Sequence, residues 1–396
     1  MDDRRLHRIY LDQINGTPLL PQASEAMKEA WGKGGNPSSP HAEGRAANGL
    51  KERARVGVAS LVRARGEEIT FTSSGTEANA WALTGLTKAG TRKGNHLVVS
   101  AVEHPSILQT ARRMEKEGWK VTAVPVDRAG RVDPAAVEAA LTPETALVSI
   151  QWANSEVGTL QPVGELARRV KARGILFHTD AVAAAGQLPI DLKAVPADAL
   201  SLAANTFGGP PGAGALFVRK GVRILPLFVG GAQEDGRRAG TENLAGIVGM
   251  GEAARVMARE LPGRIPGWIG LRDRLSRGIE SRLPEARLNG HPTERLPGHL
   301  SVSLPGADAE ALVLALDREG ISVGIGSACT ARAMKASHVL RAMGADDAHA
   351  LGTITLTLGV ETTEEEIDRV LEILPRVAAG QIKGGLTPAG SSRDSR

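Results

Sequence analysis

From about residue 67 to residue 220 the chain repeats one pattern: a short, near-continuous apolar run, an amphipathic stretch, then another apolar run. The runs are "HLVVSAVEH", "ALVSIQWAN", "GILFHTDAV" and "ADALSLAAN", and between them lie "DPAAVEAAL" and "VGELARRVKARG". Apolar runs without alternation are the mark of strands buried on both faces. Strand–helix–strand order then predicts a mostly parallel sheet sandwiched by helices, an α/β fold. After about residue 262 the texture changes. "HLSVSLPG" and "GTITLTLG" alternate with period two, which predicts a half-exposed antiparallel sheet, and "TTEEEIDRVLEILPRVAAG" predicts a helix with Thr at its start and acids in its first turn. The expected organisation is a large domain over 16–261, a smaller α+β domain from 1–15 and 262–380, and a disordered tail over 381–396, where "GGLTPAGSSRDSR" offers no apolar anchor.

Composition removes several function classes. Lys and Arg number 48 against 44 Asp and Glu, a net charge of +4, and the basic residues are scattered. Nucleic-acid binding would call for a clustered stripe, so no nucleic-acid partner is expected. No apolar run reaches the length of a membrane span, and "MDDRRLHRIYLDQ" has no apolar segment of the secretory kind. A single cysteine, Cys329, excludes an internal disulfide and a metal site of several thiolates within one chain. It suits a reducing cytoplasm.

Four segments end strands of the large domain with polar residues: "SSGTEAN" (73–79), "VEHPS" (102–106), "WANSEVG" (152–158) and "FHTDAVAAAGQ" (177–187). Ligands of open parallel sheets bind beyond the carboxyl ends of the strands. Gly75 and Thr76 open a helix whose free N–H groups suit a phosphate, or simply a capped helix start. His104 is a catalytic candidate or a hydrogen-bonded loop residue. Asp180 follows a buried strand and needs a partner, either a protonated ring nitrogen, an arginine or a helix end. Asn154 carries the same ambiguity. Cys329 lies in "GIGSACTARAMKASHVL", a loop of small residues, and reads as a nucleophile, a metal ligand or inert packing. By contrast "SLAANTFGGPPGAGALFVRKG" (201–221) has the look of a catalytic strand end, yet Ala204-Asn205-Thr206 offers no acid, base or strong nucleophile.

Together these segments resemble the cysteine desulfurases, pyridoxal-phosphate enzymes of the class V aminotransferase group. The resemblance covers roughly residues 8 to 378 through "IYLD", "GNPSSPHAEGR", "FTSSGTEAN", "VEHPSIL", "NSEVGTLQPV", "HTDAVAAAGQLPIDL", "RRAGTENLAGIVGMGEA" and "GSACT". It implies the type I fold of pyridoxal-phosphate transferases, with a mostly parallel seven-stranded sheet. It implies a cofactor site in which Gly75 and Thr76 cradle the phosphate, His104 stacks on the ring, Asp180 pairs with the ring nitrogen and Asn154 lies near the ring hydroxyl. Thr241 would reach the phosphate from the partner subunit, implying a homodimer. Cys329 would take sulfur from cysteine as a persulfide, carried on a mobile loop from Ser327 to His338.

The chain departs from that pattern where the chemistry concentrates. The family writes Ser, a spacer, His and Lys before its Gly-Pro turn; this chain has Ala203, Ala204, Asn205 and Thr206 before Gly209-Pro210. The residue that would hold the cofactor as a Schiff base is thus Thr206, and a hydroxyl forms no such bond. Ala183 replaces a glutamine, Thr355 replaces the arginine that clamps the substrate carboxylate, Asn15-Gly16 replace Ala-Thr, and Asp235 replaces an arginine. The leading expectation is a protein of sulfur transfer and iron–sulfur cluster metabolism that no longer desulfurates L-cysteine. It would act through Cys329 as sulfur acceptor or cluster ligand, with a scaffold or sulfur-acceptor protein as partner. The alternatives are an enzyme that binds pyridoxal phosphate non-covalently and a non-catalytic structural dimer partner.

Overall fold

Seven strands build the central sheet of the structure, a computed structural model that describes residues 8–89, 94–326 and 336–384. After a short strand β1 (Ile9–Leu11) and helices α1 (Pro21–Lys33) and α2 (Ala42–Leu61), the chain alternates as expected. It runs through β2 (Ile69–Thr72), α3 (Gly75–Ala89), β3 (His96–Ser100), α4 (Pro105–Lys116), β4 (Lys120–Val124), α5 (Pro134–Ala139) and β5 (Thr145–Ser149). There follow α6 (Val163–Ala172), β6 (Leu176–Asp180), β7 (Ala199–Ala203) and β8 (Gly214–Val218). The sheet order is β2-β8-β7-β6-β5-β3-β4, with only β8 antiparallel to its neighbours. Strands β3, β5, β7 and β8 are buried at every residue, which is why they read as unbroken apolar runs. The covering helices bury one stripe each, as with Val163, Leu166, Ala167 and Val170 of α6.

Helix α7 (Leu244–Arg282) follows, packed along α2. The two cross at glycines. A Cβ on Gly57 would stand 2.4 Å from the Gly251 carbonyl oxygen, and one on Gly251 would stand 2.4 Å from Ala54 Cα. Both obstacles are backbone, so they yield only if the helices separate. Gly251→Ala is therefore expected to lower stability by about 2 kcal/mol despite alanine's better helix propensity. Urea unfolding of the two proteins checks this.

The C-terminal part holds β9 (Arg287–Asn289), β10 (His299–Ser303), α8 (Ala309–Arg318) and β11 (Ile321–Val323). It ends with α9 (His338–Ala342), α10 (Asp347–Leu351), β12 (Thr353–Thr357) and α11 (Glu364–Gly384). Its antiparallel sheet has the order β12-β10-β9, and β1 pairs with β11 in parallel. The period-two pattern predicted a half-exposed sheet, but β10 and β12 are buried at every residue. Most of their polar face is closed by its own hydrogen bonds, the buried Thr355 hydroxyl being an exception. Ser303 and Thr353 meet at 2.6 Å, Asn289 donates to Ser303 at 2.8 Å, and Thr357 Oγ1 accepts from the Ile14 amide at 3.0 Å. Alternation here separates an apolar face from a hydrogen-bonded one, not core from water.

Candidate functional site

All the polar strand ends open on one edge of the central sheet. At the end of β2, Ser74 caps α3 by accepting from the Glu77 amide at 3.1 Å. The first amides, those of Gly75 and Thr76, have no acceptor within the helix. A Cβ on Gly75 would lie 2.6 Å from Val182 Cγ2 and 3.4 Å from Ala203 Cβ, so the helix start abuts the ends of β6 and β7 and only glycine fits there. Thr76 is exposed beside it. Glu77 folds back onto the Ser73 amide at 2.8 Å and receives Arg238 at 2.9 Å.

Asp180, at the end of β6, is 6% exposed. Its carboxylate accepts from Asn79 Nδ2 at 2.6 Å and from the Val182 amide at 2.9 Å. Burial pushes its pKa up, against the opposing pull of His104 and these two donors. Asn79 Nδ2 also donates to Ser106 Oγ at 2.9 Å, and Ser106 Oγ stands 2.7 Å from His104 Nδ1. The Ser106 amide donates to the same Nδ1 at 3.1 Å, so that nitrogen is an acceptor and the ring proton sits on Nε2. Asp180, Asn79, Ser106 and His104 thus form one chain of hydrogen bonds.

Glu103 lies directly behind His104 and has no exposure. One carboxyl oxygen accepts from Ser100 Oγ at 2.5 Å and from the Gln151 amide at 2.9 Å, while the other has no partner. Burial, with Asp180 adding to it, pushes its pKa up to about 8, so it is protonated at neutral pH. Asn154 spends most of its amide on its own loop. Its oxygen accepts from the Glu156 and Val157 amides at 2.9 Å, and Nδ2 donates to the Val102 carbonyl at 3.0 Å. One amide hydrogen is left for a ligand.

Thr206 sits in a single 3₁₀ turn, Ala204–Thr206, directly after β7. Its hydroxyl is shared between the Val182 carbonyl at 2.8 Å and the Ala203 carbonyl at 3.0 Å, and the residue is 5% exposed. The turn is held largely by main-chain groups, with the Thr17 hydroxyl donating to Asn205 O at 3.0 Å and accepting from the Gly208 amide at 2.6 Å. Thr17 N donates to Asn205 O at 2.7 Å, Ala204 N to Ala213 O at 3.0 Å and Gly209 N to Ala204 O at 2.9 Å. Ala183 and Ala203 are buried nearby and contribute no polar atom from their side chains.

Thr241 is exposed three residues beyond Arg238, and its neighbour Glu242 is anchored on Lys51 at 2.8 Å. Asp235 is exposed with a left-handed φ of 57°, next to Glu234, whose own φ is 49° and whose carboxylate Arg55 grips at 2.7 and 2.8 Å. Cys329 lies outside the described residues. Its flanks converge on Glu156. Ser337 Oγ donates to Glu156 at 2.5 Å, and a Cβ on Gly326 would stand 3.2 Å from the same carboxylate oxygen. His338 Nε2 donates to the Glu103 carbonyl at 3.0 Å. Among the described residues no cluster of three or more His, Cys, Asp or Glu could hold a metal. None of their helices is long and apolar enough to cross a membrane.

Sequence reasoning missed Asn79, Ser106, Glu103 and Glu156, although all four stand within quoted motifs. Asn79 alone had a usable signal. It lies one helical turn after Gly75, on the stripe of α3 that faces the sheet.

A seven-stranded, mostly parallel sheet with a buried acid, a histidine and a glycine-led helix start on its carboxyl edge defines the type I fold of pyridoxal-phosphate transferases. The chain belongs to the class-V aminotransferase family and, within it, to the cysteine desulfurases: the Aminotransferase class-V model matches residues 9–370. It is 42% identical to the cysteine desulfurase IscS of Dictyoglomus turgidum over 370 residues, 93% of this chain and 94% of that protein. It is 45% identical to a cysteine desulfurase of Cereibacter sphaeroides over 389 residues, 98% and 99% of the two chains. Among solved structures, a NifS-like protein superposes with a TM-score of 0.88 at 35% identity, over 94% of this chain and all of that one.

Proposed function

We propose that this chain is a cysteine desulfurase-family protein of sulfur transfer and iron–sulfur cluster metabolism that does not itself take sulfur from L-cysteine. It works in the cytoplasm as a homodimer and acts through Cys329, as sulfur acceptor or cluster ligand, toward a scaffold protein. The observation that carries this reading is Thr206. Its hydroxyl is buried and already engaged with two carbonyls, and the turn around it presents no amine. A hydroxyl can neither bind an aldehyde as a stable C=N bond nor shuttle a proton as an amine does. Exposed Leu225, Phe228 and Val229, on the segment leading to Thr241, support a second copy as partner.

The rest of the site fits pyridoxal phosphate without a covalent bond, and this favours a second reading in which the cofactor binds loosely. Asp180 would pair with the ring nitrogen, His104 would cover the ring face, and Asn154 would offer its free amide hydrogen to the ring hydroxyl. Gly75 and Thr76, with Thr241 of the partner subunit, would hold the phosphate. When bound, the cofactor supplies an electron sink.

Two measurements test the reading. Protein purified with pyridoxal phosphate and treated with borohydride is expected to carry no reduced adduct on any lysine by peptide mapping. Incubated with L-cysteine alone, Cys329 is expected to stay a thiol. An added donor persulfide should pass its outer sulfur to the Cys329 thiolate, the donor leaving as a thiolate, and Cys329→Ser should take up none. A lysine adduct, or a Cys329 persulfide formed from L-cysteine alone, would overturn the proposal.

A further inference from the structure

Beside the turn of Thr206 the structure holds a cavity of about 70 Å³, room for about five water molecules at the ~15 Å³ that each needs. It lies between the segment leading into α1, the loop after β6, helix α7 and the loop after β12. Thr206 borders it, but Gly75, Thr76, His104, Asn154 and Asp180 do not, so it is distinct from the cleft that those residues surround. Leu20, Phe207, Met257 and Trp268 form its apolar walls, and exposed Pro18, Val360 and Glu361 stand at its rim. The walls are fixed without an occupant. Trp268 Nε1 donates to Gly359 O at 2.9 Å, the Leu20 amide to Gly208 O at 2.9 Å, and the Gly208 amide to Thr17 Oγ1 at 2.6 Å.

Two glutamines interrupt the apolar lining. Gln187 is 9% exposed, and its side-chain amide has no partner among the described residues; only its backbone amide is engaged, donating to Ala184 O at 3.0 Å. Gln13 is 7% exposed. Its Nε2 reaches the Tyr10 carbonyl only at 3.4 Å, and its Oε1 has no partner among the described residues. Most buried polar groups are paired, because leaving one unpaired costs stability. A wall that served packing alone would be more stable with leucine or methionine at both positions. No Lys, Arg or His lines the cavity, and its one carboxylate, Glu361, is in water at the rim.

We propose that this cavity is a binding site for a small, uncharged carboxamide with a branched aliphatic body. A carboxamide carries a donor and an acceptor side by side, and the Gln187 amide answers both at once. The apolar walls take the aliphatic body, in the usual division of labour of a small-molecule pocket. An anion entering the cavity would lose its water and meet no cation in return. A cation would find only Glu361, whose exposure makes such a pair weak. The volume limits the ligand to about six non-hydrogen atoms. The inference goes beyond the functional reading above and does not rest on it.

The test uses three probes of one shape: isobutyramide, isobutyrate and methyl isopropyl ketone. The first donates and accepts, the second is an anion that only accepts, and the third is neutral and only accepts. Each is titrated at pH 7 into the full-length protein, isotope-labelled at its methionine methyls. The Met257 signal, assigned with Met257→Leu, reports from the cavity wall. Isobutyramide is expected to shift it with a Kd below about 5 mM, and at least about tenfold more tightly than either other probe. Gln187→Leu, close in volume, should bring the amide and the ketone to within about twofold. The same variant should unfold in urea at no lower a midpoint than the parent, since the Gln187 amide has no protein partner to lose. No shift at Met257, equal or tighter binding of isobutyrate or the ketone, a preference that survives Gln187→Leu, or a lowered midpoint overturns the proposal. A lysine adduct or a persulfide made from L-cysteine would defeat the functional reading above and leave this preference standing.

Discussion

Thr206→Lys, purified with pyridoxal phosphate, is expected to acquire a borohydride-reducible bond at residue 206 in close to one copy per chain, where the parent protein has none. The turn that would present the new amine is already built, since its hydrogen bonds to Thr17, Ala213 and Gly209 use main-chain atoms of residues 204 and 205. Cysteine turnover should nevertheless stay small. Thr355 gives a carboxylate no bidentate partner, and a charge-assisted pair of that kind is worth about 3 kcal/mol, roughly a hundredfold in rate. Adding Thr355→Arg and Asn205→His should therefore raise alanine production by about two orders of magnitude over the single variant. Full desulfurase activity from Thr206→Lys alone would show that the missing carboxylate clamp at Thr355 does not limit turnover.

Acidification below pH 6.5 is expected to remove about 4 kcal/mol of stability by pH 3.5 for each of two buried histidines. His178 lies between β5 and β7 without exposure, with Ser149 Oγ at 2.8 Å and Ser201 Oγ at 2.9 Å on its two ring nitrogens, and burial lowers its pKa to about 3. His299 of β10 donates from Nε2 to the Ser155 carbonyl at 2.8 Å, and burial, with Arg295 nearby, also lowers its pKa to about 3. In the unfolded chain both take up a proton near pH 6.5. The unfolded state thus binds more protons between pH 6.5 and 3, and stability falls as pH falls through that window. Glu103 acts in the opposite sense. Its folded pKa near 8 exceeds the unfolded value, so lowering the pH from 8 toward 4.5 favours the fold. From pH 8 to 6.5 Glu103 acts alone and stability rises as pH falls; from 6.5 to 4.5 two histidines against one such carboxyl leave a net loss, and below 4.5 a steeper one. Urea unfolding from pH 8 to 3.5 gives the slope, and His299→Gln, which keeps a donor toward Ser155, should remove one proton from the acid limb. An unchanged limb would mean that His299 is not buried neutral.

Strands that cross the middle of a sheet advertise themselves, because both faces must be apolar, and β3, β5 and β7 were read directly. Their polar ends were legible for the same reason: Asp180 and His104 stand out against the runs that precede them. Glu103 was not legible. It is adjacent to His104, and nothing in "VEHPS" says which of two neighbouring polar residues turns into the core when the strand ends. Asn79 and Ser106 escaped because an amide and a hydroxyl have no fixed meaning until the groups they bridge are known. The β10–β12 sheet misled for a different reason. Serine and threonine alternate with Leu, Val and Ile there, and period two reports that the faces differ without saying what lies against either. The departures from the desulfurase pattern were visible residue by residue, but the closeness of Asn15 to Thr355, both packed against Gly324 where a Cβ would stand 3.2 Å from Asn15 Nδ2 and 2.4 Å from Thr355 Oγ1, needed the bridge of Gly324 to β12.

The main-chain lashing of the turn at Thr206 separates two properties that usually change together. A socket whose shape is set mostly by amides and carbonyls depends on its side chain only through the two carbonyls that the Thr206 hydroxyl engages, so exchanging the reactive group costs the fold little. Mutations there are screened by what the protein does and hardly at all by whether it survives in the cell. Positions such as Gly57 and Gly251 are in the reverse situation, intolerant of change whatever chemistry the protein performs. A scaffold divided in this way can shed one activity and be recruited to another without passing through an unstable intermediate.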